Sequence, residues 1–147
     1  MGVPLEKVYD AFLTKMLEDE WLNWTQEEVE QDFRSILASA IVYFKFPRHS
    51  LKIDEDSNSF SDNLDDREIE ILATYMKVEW LNRTILTWEN VKPLYVERDF
   101  SQANLIDKLK ALLEREEKKA YRLQSIYYRS IEDKPFKYRT LAGDEYV

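Results

Sequence analysis

Residues Asp65–Trp88 constrain the fold more than any other stretch of this chain. They read as one long helix, yet the apolar side chains do not keep to one side. Ile69, Leu72, Met76 and Leu81 fall near one stripe, while Ile71, Tyr75, Val78 and Trp80 occupy others. A helix that is apolar nearly all round is enclosed by protein on most sides. With one other segment of comparable length, Ser101–Ser130, the expectation is that sister copies complete the enclosure. Ile71, Tyr75, Val78, Trp80 and Trp88 are then the candidate inter-subunit residues.

Glycine points the same way. The chain has only two glycines, Gly2 and Gly143, both near the ends. Tight β turns and phosphate-cradling loops need glycine for positive φ, so long helices with few sharp turns are expected. The 147 residues fit one domain with a real core. Cysteine is absent, which excludes disulfides, thiolate nucleophiles and Cys-based metal sites. No apolar run reaches the length of a membrane span, and no basic-then-apolar leader is visible at the N-terminus. A soluble protein of a reducing compartment, with no membrane partner, is the default expectation.

Twenty-nine acids against 21 bases give a formal charge of −8. Such a surface does not attract nucleic-acid phosphates by counterion release. The charge is uneven: Asp54–Glu70 holds eight acids against the single base Arg67, while Arg115–Arg129 is mixed and locally basic. Opposite-signed ends allow copies, or another partner, to stack; a solvated mixed surface accounts for the same pattern.

The first helix is expected from Pro4 or Leu5 to about Glu20, with Leu5, Val8, Phe12, Met16 and Leu17 inward and an aromatic corner at Trp21, Leu22 and Trp24. Thr25 and Glu28 form a capping box for a second helix that carries Val29, Phe33, Ile36, Leu37, Ala40, Ile41 and Phe44 inward and ends at Pro47. Residues 45–64 read as a small β-hairpin or ordered loop. Asp65 and Glu68 resemble a second capping pair. Lys92-Pro93 breaks the chain, Leu94–Phe100 forms a connector, and Asp99 or Ser101 caps the last helix. Leu105, Leu109, Leu112, Ala120, Leu123 and Tyr127 mark its inner side. The expected fold class is all-α: a four-helix bundle with a long C-terminal helix, a small hairpin or loop at about 45–64, and an extended C-terminal tail. Its organisation reads as a helical domain over 1–131 and a docking tail over 132–147.

Chemistry is sparse. His49 is the only histidine and no nucleophile can be named beside it. Asp54, Asp56, Asn58 and Asp62 fit positions of a calcium loop, but Ser59 stands where the turn needs glycine and Asp65 where a glutamate closes the site. Adjacent carboxylates such as Glu116 and Glu117 cannot face each other across a cleft. No phosphate loop or metal-binding helix motif is present. The four tryptophans lack a basic groove for base stacking. No catalytic residue, cofactor or metal is therefore expected, and the protein is read as a non-enzyme. The tail is the most function-like element: Pro135, Phe136, Tyr138, Leu141 and Tyr146 are aromatic and apolar anchors, with Lys134, Lys137 and Arg139 between them. The alternative is that this tail folds back on its own bundle.

The order Glu68-Ile-Glu-Ile-Leu-Ala, Met76, Glu79-Trp-Leu, then Asp99-Phe-Ser-Gln-Ala-Asn104-Leu105, then a charged helix ending Ile126-Tyr-Tyr-Arg-Ser resembles the head–tail connector (adaptor, or neck) proteins of tailed bacteriophages. The likeness spans about Phe46–Ser130. It implies a helical virion subunit, made in the host cytoplasm and repeated about twelve times in a ring below the portal. That ring extends the channel through which double-stranded DNA passes during genome ejection, and it offers a platform to the next neck or tail protein. Pro135, Phe136, Tyr138, Leu141 and Tyr146 would dock on the portal. Asp54, Asp56, Asp62, Glu114 and Glu117 are candidate channel acids, repelling DNA so that it slides without specific binding. Apolar faces and opposite charge patches would close the heterologous ring. The rival reading is a small acidic helical regulator that binds a protein partner by mimicking DNA.

Overall fold

The computed structural model describes residues 2–16, 24–91 and 99–129. Four helices and one hairpin follow in the order α1 (Leu5–Thr14), α2 (Gln26–Tyr43), β1 (Ile53–Asp54), β2 (Ser59–Phe60), α3 (Asp66–Val91) and α4 (Asp99–Arg129). The fold is all-α with a two-stranded antiparallel hairpin, as expected.

Helix α3 is the axis, packed against α4, α2 and α1. Its apolar girdle is covered by these three elements of its own chain. Ile71, Val78 and Trp80 are buried, as are Leu72, Ala73, Met76, Leu81 and Ile85. This corrects the assignment of Ile71, Val78 and Trp80 to a subunit contact: the periodicity reports that α3 is enclosed, and the enclosing helices lie in the same polypeptide. Tyr75 and Trp88 are half-buried.

Local chemistry sets the helix ends. Thr25 Oγ1 accepts from Glu28 N–H (3.2 Å) and Glu28 Oε1 from Thr25 N–H (2.9 Å), closing the α2 capping box. Asp65 and Glu68 repeat the motif before α3, both bonds at 2.9 Å. Helix α2 ends at Tyr43, four residues short of Pro47, because Phe44 is already extended and Phe46 is left-handed; a residue before proline is disfavoured in the right-handed helical region. Helix α1 stops at Thr14, short of the expected Glu20. Lys15 and Met16 N–H turn back to Phe12 and Leu13 carbonyls, and Lys15 pairs with Glu70 of α3. The expected aromatic corner at Trp21 and Leu22 lies outside the described residues; Trp24 is exposed. Helix α4 includes Asp99 and Phe100, which the sequence reading placed in a connector. Its 31 residues span about 46 Å.

The hairpin needs a left-handed residue and uses Asn58 (φ 53°) where glycine is missing. It is stitched to the N-terminal segment by Phe60 N–H to Val3 O (2.8 Å) and Leu5 N–H to Asn58 O (3.1 Å). Gly2 passes so close that a Cβ there would lie 1.4 Å from Phe60 O.

Candidate interaction surface

The chain between α2 and the hairpin, residues 44–50, is held by side chains from far along the sequence. Gln124 Oε1 accepts Lys45 N–H (3.1 Å), and the Tyr128 hydroxyl bonds Lys45 O. Arg48 N–H donates to Tyr127 Oη (2.6 Å), and its guanidinium to Asp65 (3.0 Å). His49 N–H and Nδ1 both reach Glu68, at 3.2 and 2.6 Å.

Glu68 is the anchor. It is fully buried, yet both oxygens are satisfied. Oε1 takes Asp65 N–H and His49 Nδ1; Oε2 takes His49 N–H and the Tyr127 hydroxyl, the last at 2.8 Å. A buried carboxylate persists only with such a set of donors. Burial pushes the Tyr127 phenol well above its ordinary value; the Arg48 N–H opposes this and Glu68 adds to it. The phenol therefore stays a donor.

His49, Asp65 and Glu68 are, among the described residues, the one group whose ligand atoms come within 4.8 Å of one another. Their oxygens are already committed: Asp65 to Glu68 N–H and Arg48, Glu68 to four donors. A cation there would compete with the Arg48 guanidinium and dismantle the α3 cap, so the geometry serves a tether better than a metal centre. His49 gives both its backbone N–H and its Nδ1 to Glu68.

What the tether presents is a mostly apolar face, with the exposed Lys45 set between Phe44 and Phe46. From Ser35 to Phe44 the chain carries no charge, and Ser35, Ala38 and Val42 look outward from α2. Val42 is 75% exposed and Phe46 82%. Phe46 has φ 56°, a conformation bulky L-residues avoid. Tyr43 lies beside them, its ring 5.5 Å from that of Tyr75 and its hydroxyl 3.2 Å from Glu79. Burial, then Glu79, raises the Tyr43 phenol. Underneath, Phe44 meets Tyr127 edge-on at 5.5 Å.

The sequence-predicted acids do not converge. Asp54 and Asp56 sit exposed at the hairpin turn, with Asp54 Oδ1 accepting Asp56 N–H (3.1 Å), and Asp62 instead holds Ser50 N–H (2.6 Å). Glu114 and Glu117 are exposed on α4, Glu114 paired with Lys118 at 3.2 Å. Pro135, Phe136, Tyr138, Leu141 and Tyr146 lie outside the described residues. Sequence reasoning placed Tyr127 inward but missed the bonds of its hydroxyl, the exposure of Phe46 and the burial of Glu68; the Phe-Pro step, which forces the chain out of the helix, is the local signal available for Phe46. No helix among the described residues is long and apolar enough to cross a membrane. Comparison with protein-family models, curated proteins and solved structures found no match for the chain.

Proposed function

We propose that the chain is a structural assembly subunit, a head–tail connector of a tailed bacteriophage that forms a ring below the portal. The observation that carries this reading is the Val42–Phe46 face: Val42 and Phe46 stand exposed on either side of Lys45, whose backbone is bonded to Gln124 and Tyr128 of α4. The largest apolar patch on a monomer is often a functional one. Lateral contacts between copies would draw on the exposed apolar residues Val42 of α2, Phe46, Leu86 of α3, and Tyr121 and Ile126 of α4. The polar side chains best placed for chemistry are consumed in holding the fold together. Exposed acids at Asp54, Asp56, Glu114 and Glu117 suit the wall of a conduit that DNA must traverse without sticking.

The regulator reading is served less well. A DNA mimic needs its acids free on one face, whereas Asp32, Asp62, Asp65, Glu68 and Glu70 are engaged within the protein. The test is assembly: mix the purified chain with a portal ring and with the next neck protein, measure mass by light scattering, and image the product. A ring on the portal is expected. A chain that stays a monomer with both, and inhibits a nucleic-acid enzyme instead, overturns the connector reading.

A further inference from the structure

The N-terminal half of α2, the hairpin turn and Tyr9 of α1 line one cleft of about 470 Å³. That lies within the range of ligand pockets, roughly 300–1,000 Å³. Its charge is one-sided: Glu27, Glu28 and Glu30 come from α2 and Glu55 from the hairpin turn, against the single base Arg34. Arg34 is already engaged, its Nη2 donating to Glu55 Oε1 at 2.7 Å. Grouped carboxylates are common on an acidic protein; Tyr9 sets this group apart. Tyr9 is only 7% exposed, with its ring edge-on to Phe33 at 5.4 Å. Its hydroxyl feels the charges of Arg34, Glu30 and Glu55, yet bonds no described residue. Polar groups on so deeply buried a side chain are normally bonded. Burial keeps the phenol protonated, so its oxygen remains a neutral acceptor.

The donor set selects the occupant. An anion would meet four carboxylates, and the end of α2 offers it little, because the capping box already takes the Thr25 and Glu28 N–H groups. A compact metal ion needs carboxylate oxygens that converge on one point. Among the described residues only His49, Asp65 and Glu68 bring three such ligand atoms within 4.8 Å of one another, and none of them lines the cleft. An organic cation carries its N–H donors at spaced positions, which suits acids that stand apart on α2 and the hairpin. Bonds from ammonium or guanidinium N–H groups to carboxylates are also the strong, charge-assisted kind. We propose that this cleft binds an organic ammonium or guanidinium cation, whose N–H groups are accepted by Glu30, Glu55 and the Tyr9 hydroxyl oxygen. Glu55 keeps Oε2 for this, since Arg34 holds Oε1. The same chemistry is offered by a free amine and by a lysine or arginine side chain of a partner. The inference stands apart from the connector reading and does not depend on it.

Spermidine and the peptide acetyl-Arg-Ala-Arg-amide are the two probes, each titrated into the full chain by calorimetry and by NMR of the Tyr9 ring. An equimolar end point with a shift of the Tyr9 signals is expected for at least one of them. Tighter binding of spermidine assigns a free amine and tighter binding of the peptide a partner's side chain; either supports the cleft. Tyr9→Phe keeps the ring on Phe33 and should weaken binding about tenfold, the worth of one hydrogen bond to a charged group. Glu30→Gln, at an exposed position that the fold does not rely on, should weaken it similarly. Glu114→Gln removes the same charge from the surface of α4 and should leave binding unchanged. Magnesium at the same concentration should not move the Tyr9 signals. Failure of both probes to saturate overturns the proposal. So do Tyr9 signals that magnesium moves equally, or equal losses for Glu30→Gln and Glu114→Gln, because each would mean diffuse attraction to an acidic surface.

Discussion

Replacing Tyr127 with phenylalanine probes the network at its deepest point. The ring and its edge-on contact with Phe44 remain; one oxygen is lost. That oxygen makes two bonds, donating to Glu68 Oε2 at 2.8 Å and accepting Arg48 N–H at 2.6 Å. A hydrogen bond to a charged group contributes about 1.5–3 kcal/mol. Glu68 is fully buried, so water does not step in freely, although Oε2 keeps His49 N–H at 3.2 Å. Arg48 is exposed and its freed N–H can be hydrated, adding only a fraction of a bond. The net loss comes to about 2–3 kcal/mol. For a chain of this length each kcal/mol moves the melting temperature by about 3 °C, so a fall of roughly 6–9 °C is expected by circular dichroism or calorimetry. Tyr121→Phe, which removes an exposed hydroxyl, is the control and should move it by less than about 1 °C. A drop below about 2 °C for Tyr127→Phe would mean that the carboxylate is held well enough without the phenol, and the anchoring argument fails.

Three further outcomes can be measured on the same protein. Thr25→Ala should cost about 1 kcal/mol of unfolding free energy, read by urea titration, because it opens the capping box that starts α2. Gly2→Ala should peel the N-terminal segment from the hairpin, losing about 1–2 kcal/mol and the amide protection of Phe60, since its Cβ would meet backbone that cannot move aside. Stability should fall as pH rises between about 10 and 12. Burial pushes the Tyr9 phenol up to about 12, partly opposed by Arg34, while the unfolded chain ionises near 10, so the unfolded state sheds its proton first and gains over the folded one. The Tyr9 share is about 2–3 kcal/mol at 1.36 kcal/mol per pKa unit, and denaturant midpoints that stay flat from pH 9 to 12 would refute it.

Local and distant information divide sharply in this sequence. Both capping boxes are legible because their partners stand three residues apart. The enclosure of α3 is legible too, since an all-round apolar pattern has few other meanings. What covers it is not: periodicity records that a side chain is hidden, never whose atoms hide it, and three helices of the same chain suffice here. The end of α1 at Thr14 escapes the pattern because apolar residues continue beyond it. The Glu68 network is invisible from sequence for a plainer reason. Its members lie 19 and 59 residues from Glu68, and each has an ordinary local reading as a loop histidine or a stripe tyrosine.

The strain at Phe46 gives that network its meaning. A bulky residue in the left-handed region costs about 1–2 kcal/mol, and nothing in the core gains from it, since the ring points into solvent. If the segment were free, it would relax. Instead Lys45 N–H, Lys45 O, Arg48 N–H and His49 N–H are each bonded to a side chain from α3 or α4. Holding an exposed aromatic in place this way lowers the cost of ordering it when something docks, about 0.5–1.5 kcal/mol per side chain. The clamp should therefore be felt at the docking face by residues that never touch the occupant. Gln124→Ala removes the acceptor for Lys45 N–H and leaves Val42 and Phe46 unaltered in chemistry. It should speed hydrogen exchange of the Lys45 amide three- to tenfold, equivalent to about 0.7–1.4 kcal/mol, while Leu13→Ser, exposed on α1, should not. Equal exchange rates in the Gln124 variant and the parent would show that this bond does not hold the segment, and the strained Phe46 backbone would then be kept in place by something other than the clamp.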